Sequence, residues 1–449
     1  MSRYLLGQRR FLPLFLTQFL GAFNDNVFKN ALVILITFQA AACGDSPMLV
    51  TVAAGLFILP FFLFSATAGQ FADKLDKARM IRFTKLCEIA IMCLGALALF
   101  AGNVYALIGV LFLMGSQSAL FGPLKYGILP QHLDADHLMG ANALIQGSTF
   151  IAILAGTIIG GTLVIVPGAG VPATAALIVA LALLGWLASR AIPLAPAADP
   201  VLRIDLNPVR QTWRVARLAA HDRNLLVAIV GISWFWFVGA TFLQLFPGYT
   251  CDVLRGGPGV VTLLLCAFTI GIAAGSWLST KLTGGHVSLA IAPLGAAGMA
   301  LFALGPVLLA PDVPAEAGLS VAQVAADASN WPVLASFLGL SLFGGLYVVP
   351  LFAYVQANSP PEARARIIAA TNVLNALFMV LSAVLTIALL AAGISISGVF
   401  AAVGVATLCI GAGLLAASPA MRIAFGAFVQ RRAPPLPTQR DDAPSTPEA

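Results

Sequence analysis

The sequence predicts an all-α membrane protein with twelve transmembrane helices in two bundles of six. Three observations carry this expectation. The 449 residues are 60% hydrophobic and only 9% charged, with a mean hydropathy of +0.95, whereas soluble domains are nearer a quarter charged. Apolar runs recur at a length suited to a hydrocarbon core roughly 30 Å thick, about 20 residues each. Basic residues gather in alternate connections between those runs, the distribution that marks cytoplasmic loops.

In chain order the first six runs are 11–38, 48–72, 80–100, 104–126, 140–164 and 173–192. Arg9 and Arg10 precede the first, Lys74, Lys77 and Arg79 separate the second from the third, and Lys125 closes the fourth. The next six are 225–249, 260–281, 288–309, 331–356, 367–391 and 396–415. Arg223 precedes the seventh, Lys281 ends the eighth, and Arg364 and Arg366 precede the eleventh. With both termini cytoplasmic, all of the 24 basic residues except Arg255 and Lys29 fall on the inner side. The net charge of +6 is then a topology signal and not a nucleic-acid footprint. No cleavable signal peptide is expected, because the first run is too long and no small-residue cleavage site follows it.

The chain divides into a bundle at 1–192, a linker at 193–224, a second bundle at 225–418 and a cytoplasmic tail at 419–449. Asn207-Pro208 followed by an arginine-bearing stretch to Ala220 predicts a short amphipathic helix in the linker. Its arginines suit the anionic inner leaflet. The tail is polar and proline-rich from Arg431 onward, a composition that favours disorder.

The first run carries Asn24-Asp25-Asn26-Val27-Phe28-Lys29-Asn30 near its middle. Charge at that depth costs several kcal/mol or more and usually marks an ion or substrate path. Asp25 and Lys29 share one helix face at i, i+4 and can neutralise each other. Asn26 and Asn30 extend that face. A structural ion pair between helices is the alternative to a polar substrate site.

The two halves echo one another weakly. Gly69-Gln70-Phe71-Ala72-Asp73-Lys74 follows the second run, and Gly275-Ser276-Trp277-Leu278-Ser279-Thr280-Lys281 follows the eighth. Leu120-Phe121-Gly122-Pro123-Leu124 in the fourth is matched by Leu342-Phe343-Gly344-Gly345-Leu346 in the tenth. Parallel six-helix repeats around a central site are a transporter architecture. Gly69, Asp73, Lys74, Lys77 and Arg79 together resemble the inner-gate motif between the second and third helices of the major facilitator superfamily, with Asp76 where that family usually has glycine.

Four further segments resemble the bacterial lysophospholipid-transporter branch of that superfamily: Gly21-Ala22-Phe23-Asn24-Asp25-Asn26, Pro123-Leu124-Lys125-Tyr126-Gly127-Ile128-Leu129, Trp234-Phe235-Trp236-Phe237-Val238-Gly239-Ala240 and Gly344-Gly345-Leu346-Tyr347-Val348-Val349-Pro350-Leu351. The resemblance covers nearly the whole chain up to Leu415 and looks closer to the transporter half of transporter–acyltransferase fusions than to the shorter stand-alone members. Where some stand-alone members carry an arginine in the seventh helix, this sequence has Gln244.

The resemblance implies a carrier in the bacterial inner membrane that moves lysophospholipids of the lysophosphatidylethanolamine type from the outer to the inner leaflet. Alternating access with lateral admission of the lipid, and reacylation inside by a separate membrane-associated acyltransferase, follow as expectations. A monomer is expected, with membrane lipids around it and no cofactor, metal or nucleic acid. Such a substrate needs a polar cavity for its head and an apolar route for its tail. Asp25, Lys29, Asn26 and Asn30 are candidates for the head site. The amides Asn142 and Gln146 (fifth helix), Gln244, and Asn372 and Asn375 (eleventh helix) can join them or merely hold helices together. Lys125 can take a phosphate as a point charge or pair with Glu88 of the third helix. The aromatic cluster Trp234 to Phe237 suits helix packing more than an acyl groove.

Enzyme readings find no support in the residues. His132, His137, His221 and His286 have no aspartate five positions on, as a glycerolipid acyltransferase of the fused type requires. No nucleotide-binding loop appears. The six cysteines lack metal-ligand spacing. Cys43 and Cys251, at outer ends of the first and seventh runs, can form a disulfide only if their Cα atoms come within about 7 Å. The rival function is a proton-coupled exporter of amphiphilic drugs with Asp25 as proton carrier.

Overall fold

The computed structural model describes residues 2–39, 46–311 and 318–430, and within them the chain is helical almost throughout. The first half contains α1 (Leu12–Gln39), α2 (Ser46–Lys74), α3 (Lys77–Phe100), α4 (Val104–Gly127), α5 (Ala135–Leu163) and α6 (Gly170–Arg190). The second contains α7 (Arg223–Asp252), α8 (Pro258–Leu282), α9 (Ala292–Ala303), α10 (Trp331–Asn358), α11 (Arg364–Ala391) and α12 (Ile396–Ala417).

Eleven of these are long and apolar enough to cross a bilayer. The exception is α9, where the expected span at 288–309 is a broken helix. Its axis gives way to a separate turn, Gly305–Leu308, at Pro306, a residue with no N–H to continue the ladder. Helix starts are set by short polar side chains accepting from the first turn: Asp76 from Arg79 N, Asn103 from Ala106 N, Asp222 from Leu225 N and Ser395 from Gly398 N.

Inside a membrane, helices associate by close packing, and small residues permit it. Gly156 and Gly160 of α5 bring that helix onto α1: a Cβ at Gly156 would lie 2.7 Å from Phe23 O. The halves meet along α2 with α11 and along α5 with α8. The end of the bundle that holds the α2–α3 turn and the linker is called the basic end below.

The linker helix Pro208–Ala220 lies at this end. It is tied to α2 through Gln70, whose amide donates to Asp205 O at 2.8 Å and accepts from Asp205 N at 2.7 Å. A further helix, Pro419–Val429, follows α12 within the stretch that the sequence assigns to the tail. Ser418 Oγ anchors it by donating to Asn224 Oδ1 at 2.7 Å. Of the two cysteines considered for pairing, Cys251 is exposed at the end of α7 and Cys43 lies outside the described residues.

Candidate functional site

The polar stretch of α1 faces α3 and α4, and the structure distributes its charges differently from the sequence expectation. Asp25 and Lys29 form no ion pair. Asp25 Oδ2 accepts from Ser118 Oγ of α4 at 2.8 Å. Lys29 Nζ donates to Asn26 Oδ1 at 2.9 Å and lies 5.9 Å from the ring centre of Phe57 on α2. The ion pair of this region is instead Lys85 with Glu88, one turn apart on α3, at 2.6 Å with side chains 1% and 2% exposed. Around it, Asn24 donates to Glu88 Oε1 at 3.2 Å and Gln117 to Oε2 at 3.0 Å, while Phe121 lies 4.9 Å beneath the ammonium. Lys85, read from sequence as a cytoplasmic-end residue, is therefore interior, and it takes the carboxylate considered for Lys125.

This arrangement separates two roles. Lys85, Glu88, Asn24 and Gln117 are buried and bonded to one another. Asp25, Lys29 and Lys125 are only partly buried. Lys125 Nζ makes no hydrogen bond or ion pair among the described residues and rests 4.6 Å from the Tyr126 ring centre. Helical side chains lean toward the helix N-terminus, so Lys125 leans away from the basic end and toward the level of Ser118 and Asp25. A half-buried carboxylate with one hydroxyl partner and an unpaired ammonium thus lie along one side of α4. Asn26 and Asn30 are spent largely on α1 itself: their amides donate to Ala22 O at 2.8 Å and Asn26 O at 2.9 Å, and Asn30 also to Thr157 of α5 at 3.1 Å.

The candidate amides divide in the same way. Asn142 belongs to a contact between halves, not to a ligand cavity. Its Nδ2 donates to Gln356 Oε1 at 2.9 Å, and Gln356 Nε2 donates back to Asn142 Oδ1 at 2.8 Å, both side chains fully buried. Asn375 accepts from Ser233 Oγ of α7 at 2.8 Å, which joins α11 to α7 inside the second half. Gln146 accepts from Tyr126 OH at 2.8 Å and keeps an unpartnered Nε2. Asn372 packs its amide against Gly122 of α4, where a Cβ would lie 2.6 Å from Nδ2. Gln244 is exposed on α7. Of the aromatic cluster, Trp234 stacks on Phe237 at 4.7 Å and donates to Thr407 at 3.1 Å. Phe235 and Trp236 pack on Phe150 of α5 at 6.3 and 6.5 Å.

The gate residues meet at the basic end. Asp73 is fully buried and caps α11 from the other half, accepting from Ala365 N at 3.0 Å and from Arg366 N and Nε at 3.1 Å each. Negative charge is favourable at a helix N-terminus, so this contact is electrostatic as well as geometric. Gly69 permits it, since a Cβ there would lie 2.6 Å from that of Ala369. Ala198 N and Asp199 N of the linker donate to Asp73 O at 2.9 Å. Lys77 is buried against Gly127, Arg79 supplies the N–H that Asp76 caps, and Lys74 ends α2. Asp76 also accepts from Ala195 N at 2.9 Å, so the residue that departs from the family glycine ties the turn to the linker. Tyr126 stacks on Phe352 of α10 at 4.8 Å. The halves are therefore closed on each other at the basic end.

Sequence reading missed Lys85, Gln117 and Ser118 around Asp25, and Gln356 and Arg366 opposite Asn142 and Asp73. A Lys-x-x-Glu pair in an apolar run was a usable signal for the first. The partners across the halves carry no local signal.

A family model described as Major Facilitator Superfamily matches residues 14–383. The chain is 31% identical over 352 residues to the Lysophospholipid transporter LplT of Salmonella typhi, with 77% of this chain and 79% of that one covered. It is 29% identical over 358 residues to the protein of the same name from Klebsiella pneumoniae, with 78% and 81% covered. Its fold is similar to the human organic anion transporter MFSD10 (TETRAN), with a TM-score of 0.65 at 13% identity over 94% of this chain and 99% of that one. It is equally similar to the transporter FucP in the outward conformation, with a TM-score of 0.65 at 14% identity over 92% and 100%.

Proposed function

The chain belongs to the major facilitator superfamily and to its lysophospholipid-transporter branch, and on that premise we propose that it moves lysophosphatidylethanolamine-type lipids from the outer to the inner leaflet of a bacterial inner membrane. The observation that carries this reading is the placement of a half-buried Asp25 carboxylate and a partnerless Lys125 ammonium along one side of α4. A phosphoethanolamine head carries one positive and one negative group, and these two side chains complement it. The buried Lys85–Glu88 pair holds the α1, α3 and α4 backbones in register behind them, so that neither ligand charge is already spent.

The basic end is taken as cytoplasmic, by the distribution of lysines and arginines. On that assignment the contacts there seal the inner side, and the proposed cycle begins with a head arriving from the outer leaflet. Opening inward requires Asp73 to leave the α11 N-terminus and the Asn142–Gln356 pair to part. The lipid is admitted sideways, with its tail in the bilayer, and is released for reacylation by a separate acyltransferase. The rival, export of amphiphilic drugs driven by protons through Asp25, predicts movement in the opposite direction. Reconstituted protein loaded with labelled lysophosphatidylethanolamine on one leaflet separates the two. Inward movement insensitive to a cationic dye supports the proposal, and dye export without lipid movement removes it.

A further inference from the structure

Away from the Asp25 region, the N-terminal segment and the α4–α5 turn border an open cleft of about 420 Å³ at the basic end. Arg9 and Arg10 line it, both exposed and neither engaged in an ion pair or side-chain hydrogen bond among the described residues. His137 stacks on Tyr4 at 5.3 Å across one wall. His132 lines another, 7% exposed, with Nδ1 lacking a partner while Nε2 lies 3.4 Å from Leu194 O. Asp134 sits at the start of α5 but makes no side-chain capping bond there, so its carboxylate is free beside the cleft.

A second cavity, of about 210 Å³, lies between α1, α5 and α8 and is mainly apolar, with Phe15, Leu144, Ile151 and Trp277 in its walls. His137, Leu144 and Ile151 are seven residues apart on α5, which places them on one helix face about 10 Å apart in turn. His137 lines the basic cleft and Leu144 and Ile151 the apolar groove, so the two lie in succession along one seam of α5.

We propose that this seam is a second lipid site, with a single-chain phospholipid's phosphate on Arg9 and Arg10, its amine toward Asp134 and its chain in the groove. It is distinct from the Asp25 region and suits lipid after release at the basic end, so its assignment to the transported lipid rests on the function proposed above. Two unpaired guanidiniums with an unpaired carboxylate beside them match a zwitterionic head. The apolar groove, at about 210 Å³, suits one chain better than two.

Native mass spectrometry of the full chain with lysophosphatidylethanolamine tests this. Wild type binds two lipids, and Arg9→Gln/Arg10→Gln weakens the second by about tenfold or more, the loss expected for charge-assisted bonds. Both arginines are exposed, so that variant keeps its fold. Ala143→Phe, which fills the groove, removes the same lipid, and Asp134→Asn reduces the preference for an ethanolamine over a glycerol head. An unchanged second lipid in the arginine variant overturns the proposal. Displacement of that lipid by inorganic phosphate at equal concentration, or equal occupancy by diacyl phosphatidylethanolamine, also overturns it. Transport is read on the same preparations: two bound lipids with no movement contradicts the transport function and leaves this site standing.

Discussion

Lys85 Nζ lies 2.6 Å from Glu88 Oε2 with both side chains out of reach of solvent, and this pair frees Asp25 from any structural ion pair. A charge pair so placed is costly to break by halves, because the remaining charge stays buried. Removing one partner of such a pair costs about 3–5 kcal/mol. Glu88→Gln and Lys85→Met should each lower the thermal midpoint of the purified protein sharply. The double variant should recover most of the loss. Equal loss in single and double variants would show that the pair does not act as a unit.

Asp25→Asn should abolish or cripple lipid movement with little change in unfolding temperature, since its direct bond is to the Ser118 hydroxyl. Ser118→Ala should cost far less, of the order of one neutral hydrogen bond or about 1 kcal/mol. Lys29 does not bond Asp25 but lies one helical turn from it, so the opposite charges still attract, and Lys29→Ala with Asp25→Asn should show a measurable coupling in a double-mutant cycle. Lost expression of Asp25→Asn with normal activity per folded molecule would assign it a structural role.

Lys125→Gln should raise the KM for lysophosphatidylethanolamine by about tenfold or more, because a hydrogen bond to a charged group contributes about 1.5–3 kcal/mol. Lys125→Arg should recover part of it by restoring the charge. An unchanged KM would take Lys125 out of the head site.

The Asn142–Gln356 exchange closes the basic end across the halves. Asn142→Ala leaves a buried amide unpaired, at a cost of about 1–3 kcal/mol to the closed state. It should speed maleimide labelling of an Ala353→Cys reporter in a cysteine-free background. Asp73→Asn should do the same by weakening the cap on α11. Unchanged labelling in both would mean that these contacts do not hold the gate.

The helix pattern was legible because bilayer thickness sets span length, and α9 departed only where Pro306 breaks the ladder. Asp25 and Lys125 stood out because charge in an apolar run has few uses. The pairing of Asp25 with Lys29 did not survive, since i, i+4 spacing permits a contact while tertiary neighbours decide it. Here Ser118 and Asn26 offered closer partners. Asn142 and Asn375 were visible as polar residues, but their roles depended on Gln356 and Ser233, 214 and 142 residues away along the chain, where no sequence pattern reaches.

The most direct test of the account follows labelled lysophosphatidylethanolamine between leaflets in proteoliposomes that contain wild type or Asp25→Asn, with and without an uncoupler. The account predicts movement toward the leaflet at the basic end for wild type and near-background movement for folded Asp25→Asn. Lipid movement at the wild-type rate in the variant, or export of a cationic dye that stops on uncoupling while lipid stays in place, would contradict it.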